Sequence, residues 1–173
     1  MRRLKLFIAT SLDGYIAGRD GDVSWLFHDA DYGYAAFFAG IDTVLVGRRT
    51  YETALAFERW PYPERKTVVF TRGGELNISS PDTAATSRAP SDVVADLRLH
   101  DGKDLWLAGG GELIRACLDH RLIDDIIVSI HPVVLGEGIP LVAGGTIATR
   151  LALVAERRYP SGLVQLSFRV DRD

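Results

Sequence analysis

Three adjacent glycines, Gly109 to Gly111, follow a short apolar run and precede a segment with helical periodicity. A glycine run costs chain entropy, so it is typical of a bend that no side chain tolerates or of a closely approaching ligand. Residues 104–113 therefore predict a buried strand that turns tightly into a helix over 111–119. A helix start presents free N–H groups, which suit a phosphate. A tight turn without a ligand is the alternative reading of this segment.

Composition sets broad limits on fold and function. The 173 residues predict one domain, residues 1–173, that buries a sizeable core. A net charge of −3 gives no reason to expect nucleic-acid or membrane partners. The single cysteine, Cys117, is interpreted as a core thiol, and no metal site is predicted. The first apolar run is too short for a signal peptide, so we expect a cytoplasmic protein.

Strand-like segments alternate with helix-like ones along most of the chain. Apolar, β-branched runs predict strands at 4–10, 42–47, 66–71, 83–86, 105–108 and 124–131, then two C-terminal strands at 149–158 and 163–170. Helices are predicted from His28 to Ala39, from Arg48 onward, and from a Ser91 cap to Leu99. This order predicts an α/β domain whose mostly parallel sheet ends in an antiparallel edge.

Polar and glycine-rich segments follow the ends of several predicted strands. They are the loop at 13–22, Gly47-Arg48-Arg49, Thr71-Arg72 and the triple glycine. Ligands of such sheets bind beyond the carboxyl ends of the strands, so these segments are expected to converge on one site. Two arginines at a helix start oppose the helix dipole unless an anion binds there, so this pair favours a phosphate site.

Five motifs in order resemble the dihydrofolate reductase superfamily, most closely its riboflavin-biosynthesis branch, the reductase domain of the deaminase/reductase. The motifs span most of the chain: Ser11-Leu-Asp-Gly-Tyr-Ile-Ala17, Val46-Gly-Arg-Arg-Thr-Tyr-Glu52, Val69-Phe-Thr-Arg72, Ala108-Gly-Gly-Gly-Glu-Leu113 and Pro132-Val-Val-Leu-Gly-Glu-Gly138. The resemblance implies a dihydrofolate reductase-like three-layer fold with helices on both faces of the sheet. It also implies hydride transfer from NADPH to a flat heterocycle.

Cofactor residues are implied by the same resemblance. Arg48 and Arg72 match positions that hold the 2′-phosphate of NADPH, and Ala9 and Ile16 match positions that line the nicotinamide. A cis peptide is implied between the first two glycines of the triple-glycine turn. The remaining positions expected to contact the cofactor are Gly47, Arg49, Thr50, Thr71, Gly109, Gly110, Gly111, Glu112 and Leu113.

Substrate residues follow from the resemblance with less detail. Asp31 matches the carboxylate that holds the ring and supports its protonation, and Asp29 is its rival because a one-residue alignment shift exchanges them. The expected substrate contacts are Asp13, Trp25 and Arg65. His131, beside Pro132 at a strand end, is interpreted first as structural and second as a site residue.

The expected activity is that of a 5-amino-6-(5-phosphoribosylamino)uracil reductase-like enzyme. The alternatives are a dihydrofolate or pterin reductase and a non-catalytic NADPH-binding module. A deaminase domain is not expected, since its paired zinc-binding cysteines are absent from a chain with one cysteine. A small heterocyclic substrate is the expected partner, and a homodimer is expected by analogy alone.

Overall fold

The computed structural model describes residues 1–171, which form ten strands and four helices. The strands are β1 (Leu4–Ser11), β2 (Tyr15–Ala17), β3 (Ile41–Gly47), β4 (Lys66–Phe70), β5 (Thr83–Thr86), β6 (Asp104–Gly109), β7 (Asp125–His131), β8 (Ile139–Pro140), β9 (Leu151–Arg158) and β10 (Val164–Val170). The helices are α1 (Tyr34–Ala39), α2 (Arg48–Leu55), α3 (Pro90–Arg98) and α4 (Gly111–Asp119).

Eight strands form the central sheet in the order β5-β4-β3-β6-β1-β7-β10-β9. The six strands from β5 to β7 pair in parallel, while β10 pairs antiparallel with both β7 and β9. The prediction of a mostly parallel sheet with an antiparallel edge is therefore confirmed. Because the first six strands run the same way, their carboxyl ends lie along one edge of the sheet, which we call the carboxyl edge.

Helices pack on both faces of this sheet, as predicted. Alternate residues of a strand point to opposite faces, so β1 sends Leu4, Leu6 and Ile8 into one core and Phe7 towards the other. The first core also contains the apolar sides of α3 and α4, including the buried Cys117. The second core contains residues of α1 and α2 around Trp106.

Two helix predictions are wrong at their start. The helix expected from His28 begins at Tyr34, because Tyr32 and Gly33 adopt positive φ values of 52° and 79° that end helical geometry. The helix expected to be capped by Ser91 has Ala89 at its N-cap and Pro90 in its first turn, and no side chain caps it.

The loop predicted at 13–22 contains a short strand that the sequence did not indicate. This strand, β2, pairs with β8 to form a separate two-stranded sheet beside the central one. Among the described residues, no helix is long and apolar enough to cross a membrane.

Candidate functional site

The triple-glycine turn lies directly against the start of α2. A Cβ built on Gly110 would be 3.4 Å from Thr50 Oγ1 and 3.6 Å from the Gly47 Cα atom. A Cβ on Gly109 would be 3.8 Å from the Ile8 side chain of β1. The ends of β1, β3 and β6 thus meet at one point of the carboxyl edge. The convergence expected from the sequence is present for these elements.

Two helix N-termini without side-chain caps begin at this point. The N-cap residues are Gly47 for α2 and Gly110 for α4, and neither helix has a capping side-chain hydrogen bond. The first N–H groups of a helix have no partner inside the helix, so each start offers several donors and a partial positive charge. Within residues 1–171, the exposed Arg49 guanidinium in the first turn of α2 has no hydrogen-bond or ion-pair partner. The combination suits an anion.

The other two arginines of this edge are engaged by the protein. Arg48 pairs with Glu52 at 2.8 Å and donates to the carbonyl oxygens of Gly73 and Glu75 at 3.2 and 3.0 Å. Arg48 therefore fastens the turn after β4 to α2. Arg72, in that turn, forms an ion pair of 3.1 Å with Glu112 in the first turn of α4, and both side chains are largely exposed.

Each residue of the triple-glycine turn must be glycine, but the structural reason differs among the three positions. Gly109 and Gly110 adopt φ values of 147° and 97°, which side chains rarely tolerate. The bend is made by these angles and not by a cis bond, since the described residues contain no cis peptide. The cis peptide implied by the resemblance is therefore wrong. Gly111 has ordinary φ, but a Cβ there would lie 2.5 Å from the Pro140 carbonyl oxygen.

A cavity of about 310 Å³ opens over β1 and β7, on the face of the sheet that carries α1 and α2. Its floor comes from β1 and β7, and its walls come from residues 26–34, the segment before and at the start of α1. The lining residues are Phe7, Ala9, Leu26, Phe27, His28, Ala30, Asp31, Tyr32, Tyr34, Ser129 and His131. It is largely aromatic with a few polar groups, which suits a flat ring.

Of the two rival carboxylates, only Asp31 lines this cavity. The Asp31 carboxylate accepts the backbone N–H of Ala35 at 3.1 Å, so it also holds the start of α1. Asp29 instead accepts a hydrogen bond from the Tyr32 hydroxyl, and this bond, with smaller contributions from its surroundings, lowers the pKa of Asp29. A general acid needs a raised pKa, so Asp29 is poorly suited to donate a proton.

The antiparallel strand β10 holds the wall of the cavity in place. Gln165 donates through Nε2 to the Tyr32 carbonyl oxygen at 2.8 Å and to the Ser129 hydroxyl oxygen at 3.0 Å. Ser161, in the β9–β10 turn, lies 3.3 Å from the Tyr32 hydroxyl. The C-terminal hairpin therefore positions the residue Tyr32 just before α1, although the two are more than a hundred positions apart in the chain.

The three expected substrate residues do not line the cavity. Asp13 accepts the backbone N–H groups of Leu135 and Gly136 and the Ser11 hydroxyl, and the Ser11 bond is the main cause of its lowered pKa. Trp25 contacts the cavity indirectly, with its ring centroid 5.2 Å from that of His131. Arg65 lies over the Phe38 ring at 4.2 Å, away from these residues.

The other residues expected to contact the cofactor do not all lie at the Gly47 and triple-glycine turns. Ala9 lines the cavity, while Ile16 packs against the first core from β2. Thr71 donates through its hydroxyl to the Gly73 carbonyl oxygen, within the turn that carries Arg72. Leu113 is a core side chain, so only its backbone N–H remains for a ligand.

Sequence reasoning missed several residues of the cavity. Phe27, His28, Tyr32, Tyr34 and Ser129 were not singled out as site residues. One signal was readable: Ser129 lies two positions before His131, so both side chains point to the same face of β7. The contribution of Gln165 was not readable, because it depends on the pairing of β10 with β7.

Comparison with known proteins shows what this chain is similar to. A family model described as the RibD C-terminal domain matches residues 2–165. The uncharacterized protein YwjB of Bacillus subtilis (strain 168) is 35% identical over 171 residues, which cover 96% of this chain and 97% of YwjB.

Solved structures with the same fold come from other bacteria. A candidate riboflavin biosynthesis protein of Shewanella sp. PV-4 superposes with a TM-score of 0.86 at 28% identity, covering 98% of this chain and 99% of that one. The Thermotoga maritima diaminohydroxyphosphoribosylaminopyrimidine deaminase/5-amino-6-(5-phosphoribosylamino)uracil reductase superposes with a TM-score of 0.75 at 16% identity. That match covers 98% of this chain but 57% of the larger protein, and its low identity supports the fold alone.

Proposed function

Since this chain belongs to the RibD C-terminal domain family, we propose that it is an NADPH-dependent reductase. Its substrate would be a pyrimidine- or pterin-type ring, with 5-amino-6-(5-phosphoribosylamino)uracil as the leading candidate. The observation that carries the proposal is that two helix N-termini without side-chain caps meet next to Arg49, while an aromatic cavity opens over β1 and β7 of the same sheet. The first feature suits a pyrophosphate, and the second suits a ring.

The residues present fit a phosphorylated dinucleotide. The turns at Gly47 and Gly110 lie against each other, since a Cβ on Gly110 would be 3.6 Å from the Gly47 Cα atom, so bare backbone from both turns faces one point. Arg48 and Arg72 lie on neighbouring turns of the same edge, since Arg48 donates to the Gly73 carbonyl oxygen one residue beyond Arg72. Guanidinium groups favour phosphate oxygens, so this pair would hold the 2′-phosphate that distinguishes NADPH from NADH.

When bound, NADPH would supply the hydride, and the chain would orient the acceptor ring and manage its proton. In this proposal, Ala9 leaves room for a nicotinamide at the floor of the cavity, and Phe27, Tyr32 and Tyr34 exclude water from the ring. Asp31 would hold a ring N–H and favour protonation of the reduced product. Support for Asp31 over Asp29 comes from its place in the cavity wall and from the lowered pKa of Asp29.

The test compares two matched variants, Asp31→Asn and Asp29→Asn. Oxidation of NADPH is followed by the loss of nicotinamide absorbance, with 5-amino-6-(5-phosphoribosylamino)uracil and dihydrofolate in parallel. Asp31→Asn is expected to lower kcat at least about 100-fold, the size of a lost proton-transfer role, and to leave the Kd for NADPH unchanged. Asp29→Asn is expected to retain most activity. The assignment fails if Asp31→Asn turns over normally.

A reductase for dihydrofolate or another pterin is the second enzymatic candidate, and it would prefer dihydrofolate in the same assay. NADPH binding without turnover of either compound would favour the third candidate, a non-catalytic nucleotide-binding module. The homodimer expected by analogy stays a prediction, and light scattering of the purified protein tests it.

A further inference from the structure

His131 is a buried histidine with one ring nitrogen paired and the other not. His131 is the last residue of β7 and is only 3% exposed, although it lines the aromatic cavity. Nδ1 lies 3.3 Å from the Ser129 carbonyl oxygen. Nε2 is fully buried and has no hydrogen-bond partner among residues 1–171. A buried polar atom without a partner costs roughly 1–3 kcal/mol, so its persistence in a site requires an explanation.

The hydrogen bond of Nδ1 determines which chemistry Nε2 offers. A carbonyl oxygen only accepts hydrogen bonds, so Nδ1 must carry the ring proton and Nε2 must carry the lone pair. Burial lowers the pKa of His131, and the nearby His28 acts in the same direction. The backbone of Ser129 and Thr10 and the negative charge of Asp29 oppose this shift without reversing it. Near neutral pH, the ring is therefore neutral and Nε2 is an acceptor.

The surroundings of the ring supply apolar contact, and no donor of residues 1–171 lies within hydrogen-bond distance of Nε2. Three aromatic rings face His131 at an angle, with centroid distances of 5.2 Å for Trp25, 5.0 Å for Phe27 and 6.5 Å for Tyr32. Ser129 shares the cavity, but its hydroxyl accepts from Gln165 and does not hydrogen-bond to Nε2. The cavity therefore surrounds Nε2, an acceptor without a partner among residues 1–171, with flat apolar side chains.

We propose that Nε2 of His131 accepts a hydrogen bond from an N–H group of the substrate ring and thereby selects rings that carry a donor at that position. This inference rests on the proposed function, because it identifies the occupant of the cavity with the ring that is reduced. It assigns His131 a role separate from that of Asp31, which is exposed and accepts a hydrogen bond at the start of α1. A methylated ring nitrogen would leave Nε2 unpaired and would clash with the surrounding aromatic rings.

The first experiment observes the histidine directly. Nitrogen-15 NMR of the wild-type protein distinguishes the two neutral tautomers, and the His131 signals are identified by their absence in His131→Phe. We expect Nε2 to be the unprotonated nitrogen and its resonance to shift when 5,6-diaminouracil is added. A proton on Nε2, or a resonance that the added ring does not move, overturns the proposal.

The second experiment is a thermodynamic cycle with substitutions on both sides of the contact. Calorimetry measures binding of 5,6-diaminouracil and its ring-N-methylated derivatives to the wild type, His131→Phe and His131→Gln. Methylation of one ring nitrogen should weaken binding to the wild type by about 10- to 100-fold and binding to His131→Phe by less than about threefold. His131→Gln, whose amide oxygen is an acceptor, should recover part of the discrimination. Phe retains the aromatic packing, so loss of structure alone does not produce this pattern.

Equal methylation penalties in the wild type and His131→Phe overturn the proposal, as does the absence of binding of every ring in the series to the wild type. NADPH is titrated into the same samples to separate this inference from the proposed function. Methyl-dependent ring binding without NADPH binding would sustain the role of His131 and refute the cofactor. NADPH binding and turnover without methyl discrimination would support the proposed reductase function and refute the role of His131.

Discussion

Removal of the Arg72 side chain should weaken NADPH binding and leave NADH binding almost unchanged. A charge-assisted hydrogen bond is worth roughly 1.5–3 kcal/mol. Arg72 is 82% exposed, so solvent screens it and the lower value applies. About 1.5 kcal/mol corresponds to about a tenfold rise in the Kd for NADPH upon Arg72→Ala. NADH lacks the 2′-phosphate, so its Kd should change less than about twofold.

Folding should not obscure this measurement. The partner of Arg72, Glu112, is 68% exposed, and exposed ion pairs contribute only about 0–1 kcal/mol to stability. Glu112→Gln should act in the opposite direction, because it frees Arg72 and removes a carboxylate near the expected phosphate, so the Kd for NADPH should fall about two- to fivefold. Arg169→Ala is the matched control, since it removes the same charge from β10 at the opposite edge of the sheet.

Fluorescence titration of both dinucleotides at two salt concentrations measures these affinities. The NADPH preference should shrink at the higher salt concentration, since salt screens exposed charges. If Arg72→Ala weakens NADPH and NADH equally, or changes neither, the assignment of Arg72 to the 2′-phosphate is refuted.

Three further predictions concern stability and reactivity. Gly111→Ala should lower the free energy of unfolding, measured by urea denaturation, by about 1–3 kcal/mol, because its Cβ would overlap the Pro140 carbonyl oxygen. Gly145→Ala is the control and should change the free energy of unfolding little, because its Cβ would have no atom within 4 Å. Stability should fall as pH drops from about 7 to about 5, because the lowered pKa of His131 makes the unfolded chain bind the proton first, and His131→Phe should flatten this slope. Burial raises the pKa of the Cys117 thiol to about 12, so a thiol reagent should label the native protein only at its unfolding rate and should label it rapidly in denaturant; rapid native labelling would contradict this.

Local signals in the sequence predicted the parts of the fold that depend on local chemistry. The bounds of α4 were predicted correctly, because the glycines mark its start and the helical spacing of apolar residues continues over its nine residues. The start of α1 was not, because Tyr32, which has a positive φ, is held by Gln165, a residue distant in sequence. The position of β1 between β6 and β7 is also set by pairing and not by any local pattern.

The same distinction applies to the candidate site. The glycine turns and the arginines beside α2 were recognisable as a group, since each follows a strand end. The cavity residues were not, because Ser129, Tyr32 and Gln165 meet only through the antiparallel hairpin at the end of the chain. His131 was read first as structural, and its unpaired Nε2 becomes apparent only from the surrounding atoms.

The central position of β1 has a consequence for synthesis of the chain on the ribosome. Leu4 pairs with Leu105, and Lys5 pairs with Asp125, so β1 lacks both neighbours in the sheet until about a hundred further residues have been made. At about 5–20 residues per second, an apolar strand waits roughly ten seconds for its partners. We therefore expect nascent chains to depend on chaperones during this interval, and chains that stop before β7 to be degraded rather than to accumulate as partly active fragments.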